Sequence, residues 1–258
     1  MSNTLFIKKY QELQRGVLFD QLIELGFATI SYSKIDKTTF FNNALVDSVL
    51  TEEQLTKIEE SLKELERSPA IYFENNPELQ ALKTSLEGKG YAKEWEDSFM
   101  FHSGEGIDTN RFNSVKKVNT ESELELFLKT FDTCYQKDDP QNPYGELGDY
   151  LALAKSAWRK HHQDNRVEYF IVYQSEKAVA VSALTSYQGL GYISNVGSLK
   201  EIRGQGFGKL ATMYAVQSSL DQGNSEHFLI TEEGHFPNEF YKRIGFQTRF
   251  TALGYSKK

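Results

Sequence analysis

The residues whose types and spacing can do chemistry lie in one run, Gly191 to Val216, where a strand over Tyr192–Val196 leads into a glycine-rich turn and then an apolar, alanine-rich helix. Such a turn presents several backbone N–H groups to one anion, and the helix adds its unpaired first-turn donors and the positive end of its dipole. The run reads as a phosphate cradle. Spacing excludes two kinds. A P-loop needs Lys followed by Ser or Thr, whereas Lys209 is followed by Leu210, with no hydroxyl placed for magnesium. The dinucleotide fingerprint G-x-G-x-x-G begins at Gly204 and Gly206, but its third glycine would fall on Lys209 and stands one residue early, at Gly208.

Arg203-x-x-Gly206-x-Gly208 resembles the R/Q-x-x-G-x-G/A pyrophosphate loop of the GNAT superfamily of N-acetyltransferases, and the likeness extends back to Val196. Further on, Glu226–Thr231 reads as a strand. After it, Asn238 to Phe246 resembles the family's second signature, a helix bearing a tyrosine, here Tyr241, shortly before a hydrophobic-Gly-Phe turn. The resemblance covers roughly residues 112–258. It implies the GNAT fold, an α/β (α+β) architecture whose central mixed, mostly antiparallel sheet is flanked by helices. It also implies acetyl-CoA as acetyl donor.

Carried onto this chain, the resemblance places the pyrophosphate on the backbone N–H groups of Gly204, Gln205, Gly206, Phe207, Gly208 and Lys209, with Arg203 as a further donor if its side chain turns inward. The pantetheine arm would pair with the backbone of Val196, Gly197 and Ser198, which would also supply an oxyanion donor. Tyr241 is the expected general acid for the departing thiolate. Relatives often carry an asparagine seven residues before this tyrosine; that position is Gly234, and Asn238 is the substitute candidate, equally readable as a helix-start residue. The strand Tyr192–Val196 carries no carboxylate, so deprotonation of an amine would run through water held by groups such as Ser194 and Asn195. Glu232, Glu233 and His235 follow the next strand as further candidates. The expected function is acetyl transfer to a primary amine of a small molecule or peptide. The alternatives are a non-catalytic acyl-CoA or protein-binding module, favoured by the missing carboxylate and asparagine, and a nucleotide or phosphate-ester binder.

Ahead of the cradle, the chain reads as Ser114–Val118 strand, Glu121–Tyr135 helix after a Thr120 cap, Gly148–His162 helix, then three strands joined by short polar turns. The polar segment His102–Arg111 has two glycines and no apolar periodicity, which sets a boundary near residue 110 and domains at 1–110 and 111–258. Within the first domain, Leu5 to Leu25 has apolar residues at helical spacing, Phe27–Tyr32 reads as a strand, and Thr51 caps a charged helix. Ala70–Phe73 reads as a buried strand, Pro77 starts a helix, and a strand runs from Gly90 toward Phe101. The order Ala70 strand, helix, Leu86 to Tyr91 parallels the Phe228 strand, helix, Tyr241 to Phe246. The first domain therefore reads as part of a degenerate GNAT-like unit, structural or acceptor-shaping: Leu86 stands where Tyr241 would, and no R-x-x-G-x-G loop precedes the Thr51 helix.

With 39% hydrophobic and 25% charged residues over 258 positions, the chain is globular rather than disordered. A net charge of −7 argues against nucleic acid as a partner, because neutralising phosphates needs a basic face. The single cysteine, Cys134, reads as a buried small side chain and fits a reducing compartment. No stretch has the length and apolarity of a membrane span or the core of a signal peptide, so a cytoplasmic location is expected. No Cys/His cluster points to a metal, and His161 and His162 end a basic helix with no chemistry assigned.

Overall fold

The computed structural model describes residues 2–257. Along the chain run α1 (Asn3–Gln14), β1 (Gln21–Glu24), β2 (Ala28–Tyr32), β3 (Asn43–Val46), α2 (Glu52–Glu64), β4 (Ala70–Glu74), α3 (Gln80–Gly88) and β5 (Ala92–His102). They are followed by β6 (Val115–Lys117), α4 (Glu121–Cys134), α5 (Tyr150–His161), β7 (Val167–Gln174), β8 (Lys177–Tyr187), β9 (Leu190–Ser198) and α6 (Phe207–Asp221). The chain closes with β10 (Glu226–Glu232), α7 (Phe236–Arg243) and β11 (Gln247–Ser256).

These elements form two compact units: unit 1 is Met1–Phe99 with Thr231–Glu233 and Thr248–Lys258, and unit 2 is Met100–Ile230 with Gly234–Gln247. The contacts thus change hands inside β5 rather than in the polar segment before residue 110, and most of β11 belongs to unit 1. The physical reason for the second difference is pairing: β11 runs antiparallel to β4 from Ala252↔Glu74 to Ser256↔Ala70. A strand joins the sheet that satisfies its N–H and C=O groups, whatever its neighbours in sequence. Leu5–Leu25 is also not one helix. It stops at Gln14, where Gly16 takes φ 81°, and Gln21–Glu24 becomes an edge strand on β2.

In unit 1 the strand order is β1-β2-β3-β4-β11-β5, with β3 and β4 parallel and β1/β2 and β2/β3 antiparallel. Ile30, Val46, Ile71 and Phe73 pack against Leu55, Ile58 and Leu62 of α2 and Leu82 and Leu86 of α3. Thr51 starts α2 with a capping box: its hydroxyl accepts from the Gln54 N–H and the Gln54 amide oxygen accepts from its own N–H.

Unit 2 repeats the pattern: β10-β9-β8-β7-β6, with β9 and β10 parallel and the other pairs antiparallel. Helix α4 begins on a second capping box, Thr120 with Glu123, and turns Leu124, Phe127, Phe131 and Cys134 inward. Helix α6 is buried on nearly all sides, as an apolar helix in the middle of a domain must be. It approaches the sheet so closely that a Cβ at Gly191 would lie 1.8 Å from the Ser219 hydroxyl, and Ser182 of β8 donates to the Ala211 carbonyl at 2.8 Å. Among the described residues, no helix is long and apolar enough to cross a membrane.

Candidate active site

The site of unit 2 is built on two irregularities. The first is in β9. Between Val181↔Gly197 and Ala183↔Ser194 the partner strand β8 advances two residues while β9 advances three, so Asn195–Val196 form a β-bulge, with Asn195 at φ 52°. Two tyrosines hold it. The Tyr135 hydroxyl at the end of α4 donates to the Val196 carbonyl at 2.8 Å, and the Tyr150 hydroxyl at the start of α5 donates to the Asn195 side-chain oxygen at 2.7 Å. Tyr135 reaches the strand because residue 197 is glycine; a Cβ there would stand 2.7 Å from the Cys134 Cβ. The parallel pairing of β9 with β10 runs only from Leu190↔Glu226 to Tyr192↔Phe228, so the bulged end of β9 carries backbone groups that β10 does not pair.

The second irregularity is the start of α6. Gly204 and Gly206 take φ 80° and 82°, backbone that suits glycine, and Gly206 caps the helix with no side-chain hydrogen bond. Among the described residues, no acceptor meets the N–H groups of Gly204, Gly206, Phe207, Gly208 or Lys209; the Gln205 N–H is used by the Ile202 carbonyl at 3.3 Å. Convergent N–H donors at the positive end of a helix suit a phosphate or diphosphate.

Two sequence-derived expectations change at this end. The Arg203 guanidinium does not turn toward the loop: it forms a fork with the buried Asp139 carboxylate at 2.8 and 2.6 Å, which holds that carboxyl below its usual range. Its job is to tie the segment after α4 to the loop. Asn238 is fully buried and its amide donates to the Met100 sulfur at 3.5 Å, a packing role inside the unit rather than a position on its surface.

Tyr241 lies on α7, half-buried, with its ring edge-on to Phe240 and Phe246. Burial, with Tyr144 adding to it, holds its phenol well above the ordinary tyrosine range. It therefore keeps its proton at neutral pH, as a donor must, and among the described residues its hydroxyl has no hydrogen-bond partner. The same cluster of phenols holds Tyr135 high, first through burial and then through Tyr241 and Tyr144.

Other candidates separate. Glu232 and Glu233 belong to unit 1, where Ser98 donates to the Glu233 carboxylate; His235 is the exposed cap of α7. Asn195 is engaged by Tyr150 as an acceptor. Cys134 is buried, its thiol pushed up to about 12 by burial, so it is no nucleophile. Among the described residues, no group of His, Cys, Asp and Glu is arranged to hold a metal ion. Sequence reasoning missed Tyr135, Tyr150 and Asp139, since a tyrosine at a helix end and an aspartate in a loop carry no signal until the strand they meet is known.

Residues 125–246 match the acetyltransferase (GNAT) family. No curated protein matches the sequence. Similar solved structures include a conserved protein of unknown function from Staphylococcus epidermidis, with TM-score 0.67, 14% identity, and 93% of this chain and 94% of that one covered. A GCN5-related N-acetyltransferase from Kribbella flavida gives 0.66 at 18% identity over 96% and 94% of the two chains. A tandem GNAT protein from the clavulanic acid biosynthesis pathway gives 0.54 at 9% identity over 89% and 77%. At these identities the likeness is one of fold, and it extends to a two-unit GNAT architecture. Residues 125–246 of the chain thus carry a domain of the GNAT acetyltransferase family.

Proposed function

We propose that unit 2 is an acetyl-CoA-dependent N-acetyltransferase acting on a primary amine of a small molecule or peptide. The observation that carries the reading is the open start of α6, with its unsatisfied N–H groups, in the same unit as a bulged strand that continues past its last pairing with β10. Acetyl-CoA supplies a thioester activated for acyl transfer. The N–H groups of Gly204 and Gly206–Lys209 bind its diphosphate, and the side of β9 at Val196–Ser198 that β10 leaves unpaired orients the pantetheine and donates to the carbonyl oxygen as it gains charge. The amine nitrogen bonds to the acetyl carbon, the carbon–sulfur bond breaks, and the amine gives up its proton to solvent. Tyr241 gives its phenolic proton to the departing sulfur and regains one from solvent.

The test is turnover of acetyl-CoA against a panel of primary amines, with Tyr241→Phe as the variant. A role as acid predicts a fall in kcat of about a hundredfold with CoA affinity unchanged, within the usual range for acid–base catalysis. Unchanged kcat in the variant would remove Tyr241 from the chemistry. A wild type that binds CoA yet turns over no amine would favour the second reading, a non-catalytic acyl-CoA module. The carboxylate-free strand Tyr192–Val196 is the observation that speaks for that reading.

A further inference from the structure

We propose that Arg111, not Arg203, is the side-chain cation of the donor site and contacts a phosphate of CoA bound at the start of α6. The assignment rests on the donor-site reading above and adds to it a residue from the polar segment that precedes β6.

The cradle motif supplies one arginine, Arg203, but its fork is filled by Asp139 and the pair is largely withdrawn from solvent. A guanidinium that already donates two parallel hydrogen bonds to a carboxylate has little left to offer a second anion in the same plane. The dianionic diphosphate would then meet the backbone donors without the motif's arginine. Arg111 restores the charge. It is exposed, its guanidinium nitrogen lies 3.4 Å from the Gln205 carbonyl, and its guanidinium carbon sits 4.7 Å over the Phe207 ring. The same nitrogen lies 3.7 Å from where a Cβ of Gly206 would be, directly beside the residue that caps α6. Among the described residues, no carboxylate forms an ion pair with it.

Its placement is fixed by short-range chemistry. The Asp108 side chain accepts from the Asn110 N–H at 3.0 Å and the Thr109 carbonyl accepts from the Phe112 N–H at 3.0 Å, which shapes the turn. Phe112 then anchors it edge-on to Tyr214 of α6, with the ring centroids 5.0 Å apart. Stacking on Phe207 holds the guanidinium plane with most of its N–H groups still available, the arrangement in which arginine recognises phosphate well.

The test is calorimetric titration of the full chain with CoA, at low and at high salt, for wild type, Arg111→Gln and Arg111→Lys, with each apo protein's unfolding midpoint measured alongside. The proposal predicts that Arg111→Gln leaves the midpoint unchanged, weakens CoA binding tenfold or more, and makes the remaining affinity less sensitive to salt. Arg111→Lys, which keeps the charge but loses the stacked planar fork, is expected to bind CoA more tightly than Arg111→Gln and more weakly than wild type. Undiminished binding by Arg111→Gln would overturn the assignment, and so would a lysine variant as weak as the glutamine one, since the contribution would then come from stacking on Phe207 rather than from charge. A wild type that binds no CoA would overturn the donor-site reading itself, a result distinct from either.

Discussion

Unit 1 and unit 2 contain the same strand–helix–parallel strand device, β3-α2-β4 in one and β9-α6-β10 in the other. They differ at the helix start. In unit 1, Thr51 and Gln54 satisfy each other's N–H groups, and Glu52 and Glu53 put carboxylates in the first turn of α2, so that end offers an anion fewer donors and a like charge. In unit 2, Gly206 brings no side chain, and the first-turn N–H groups of α6 remain open. The strands before the two helices differ likewise. β2 and β3 pair in unbroken register from Ala28↔Val46 to Ser31↔Asn43, whereas β9 is bulged and clamped by Tyr135 and Tyr150. The same fold device thus leaves backbone donors for an anion, or does not, according to how its helix end is capped.

The largest way to break this contrast is to close the open end. Gly206→Glu places a carboxylate where an anion would sit and a side chain at φ 82°; CoA affinity is expected to fall by more than about a hundredfold, read by calorimetry. A mid-sized effect separates the units by pH. In unit 1, burial raises the Asp97 carboxyl to about 7, with Glu232 and Glu96 adding to the effect and the hydrogen bond from Tyr72 (2.7 Å) opposing it. Its unfolded counterpart ionises near pH 4, so unit 1 should lose stability as pH rises from about 4 to 7 and level off above. In unit 2, burial lowers both His102 and His227, and His102 lowers His227 further against the opposing charge of Glu226. The unfolded imidazoles protonate first, so unit 2 should lose stability as pH falls below about 6.5. Native-state hydrogen exchange, corrected for intrinsic rates, should show opposite trends for β4 and β9. Asp97→Asn should flatten the first alone. The smallest effect is Thr51→Ala, expected to cost about 1 kcal/mol in denaturant unfolding and to leave CoA binding unchanged, because uncapping α2 does not supply the glycine turn.

Much of this was legible in the chain, and for local reasons. Thr51 and Thr120 mark helix starts because their hydroxyls and the glutamine or glutamate three residues on act within one turn. The glycines at 204 and 206 mark the α6 start because their backbone lies at positive φ. What escaped depends on distant partners. The strands Gln21–Glu24 and Asn43–Val46 are four residues each, too short to show a period, and are fixed by β2. The assignment of β11 to unit 1 depends on β4, and the redirection of Arg203 depends on an aspartate far away in sequence. A motif reports backbone conformation more faithfully than it reports where its charged side chain will go.

The most direct measurement is native mass spectrometry of the full chain titrated with CoA. One open helix start and one self-capped one predict saturation at a single CoA per chain, and loss of that adduct in Gly206→Glu while Thr51→Ala keeps it. Two adducts per chain, or one that survives Gly206→Glu, would contradict the claim that the open start of α6 is what distinguishes the two units.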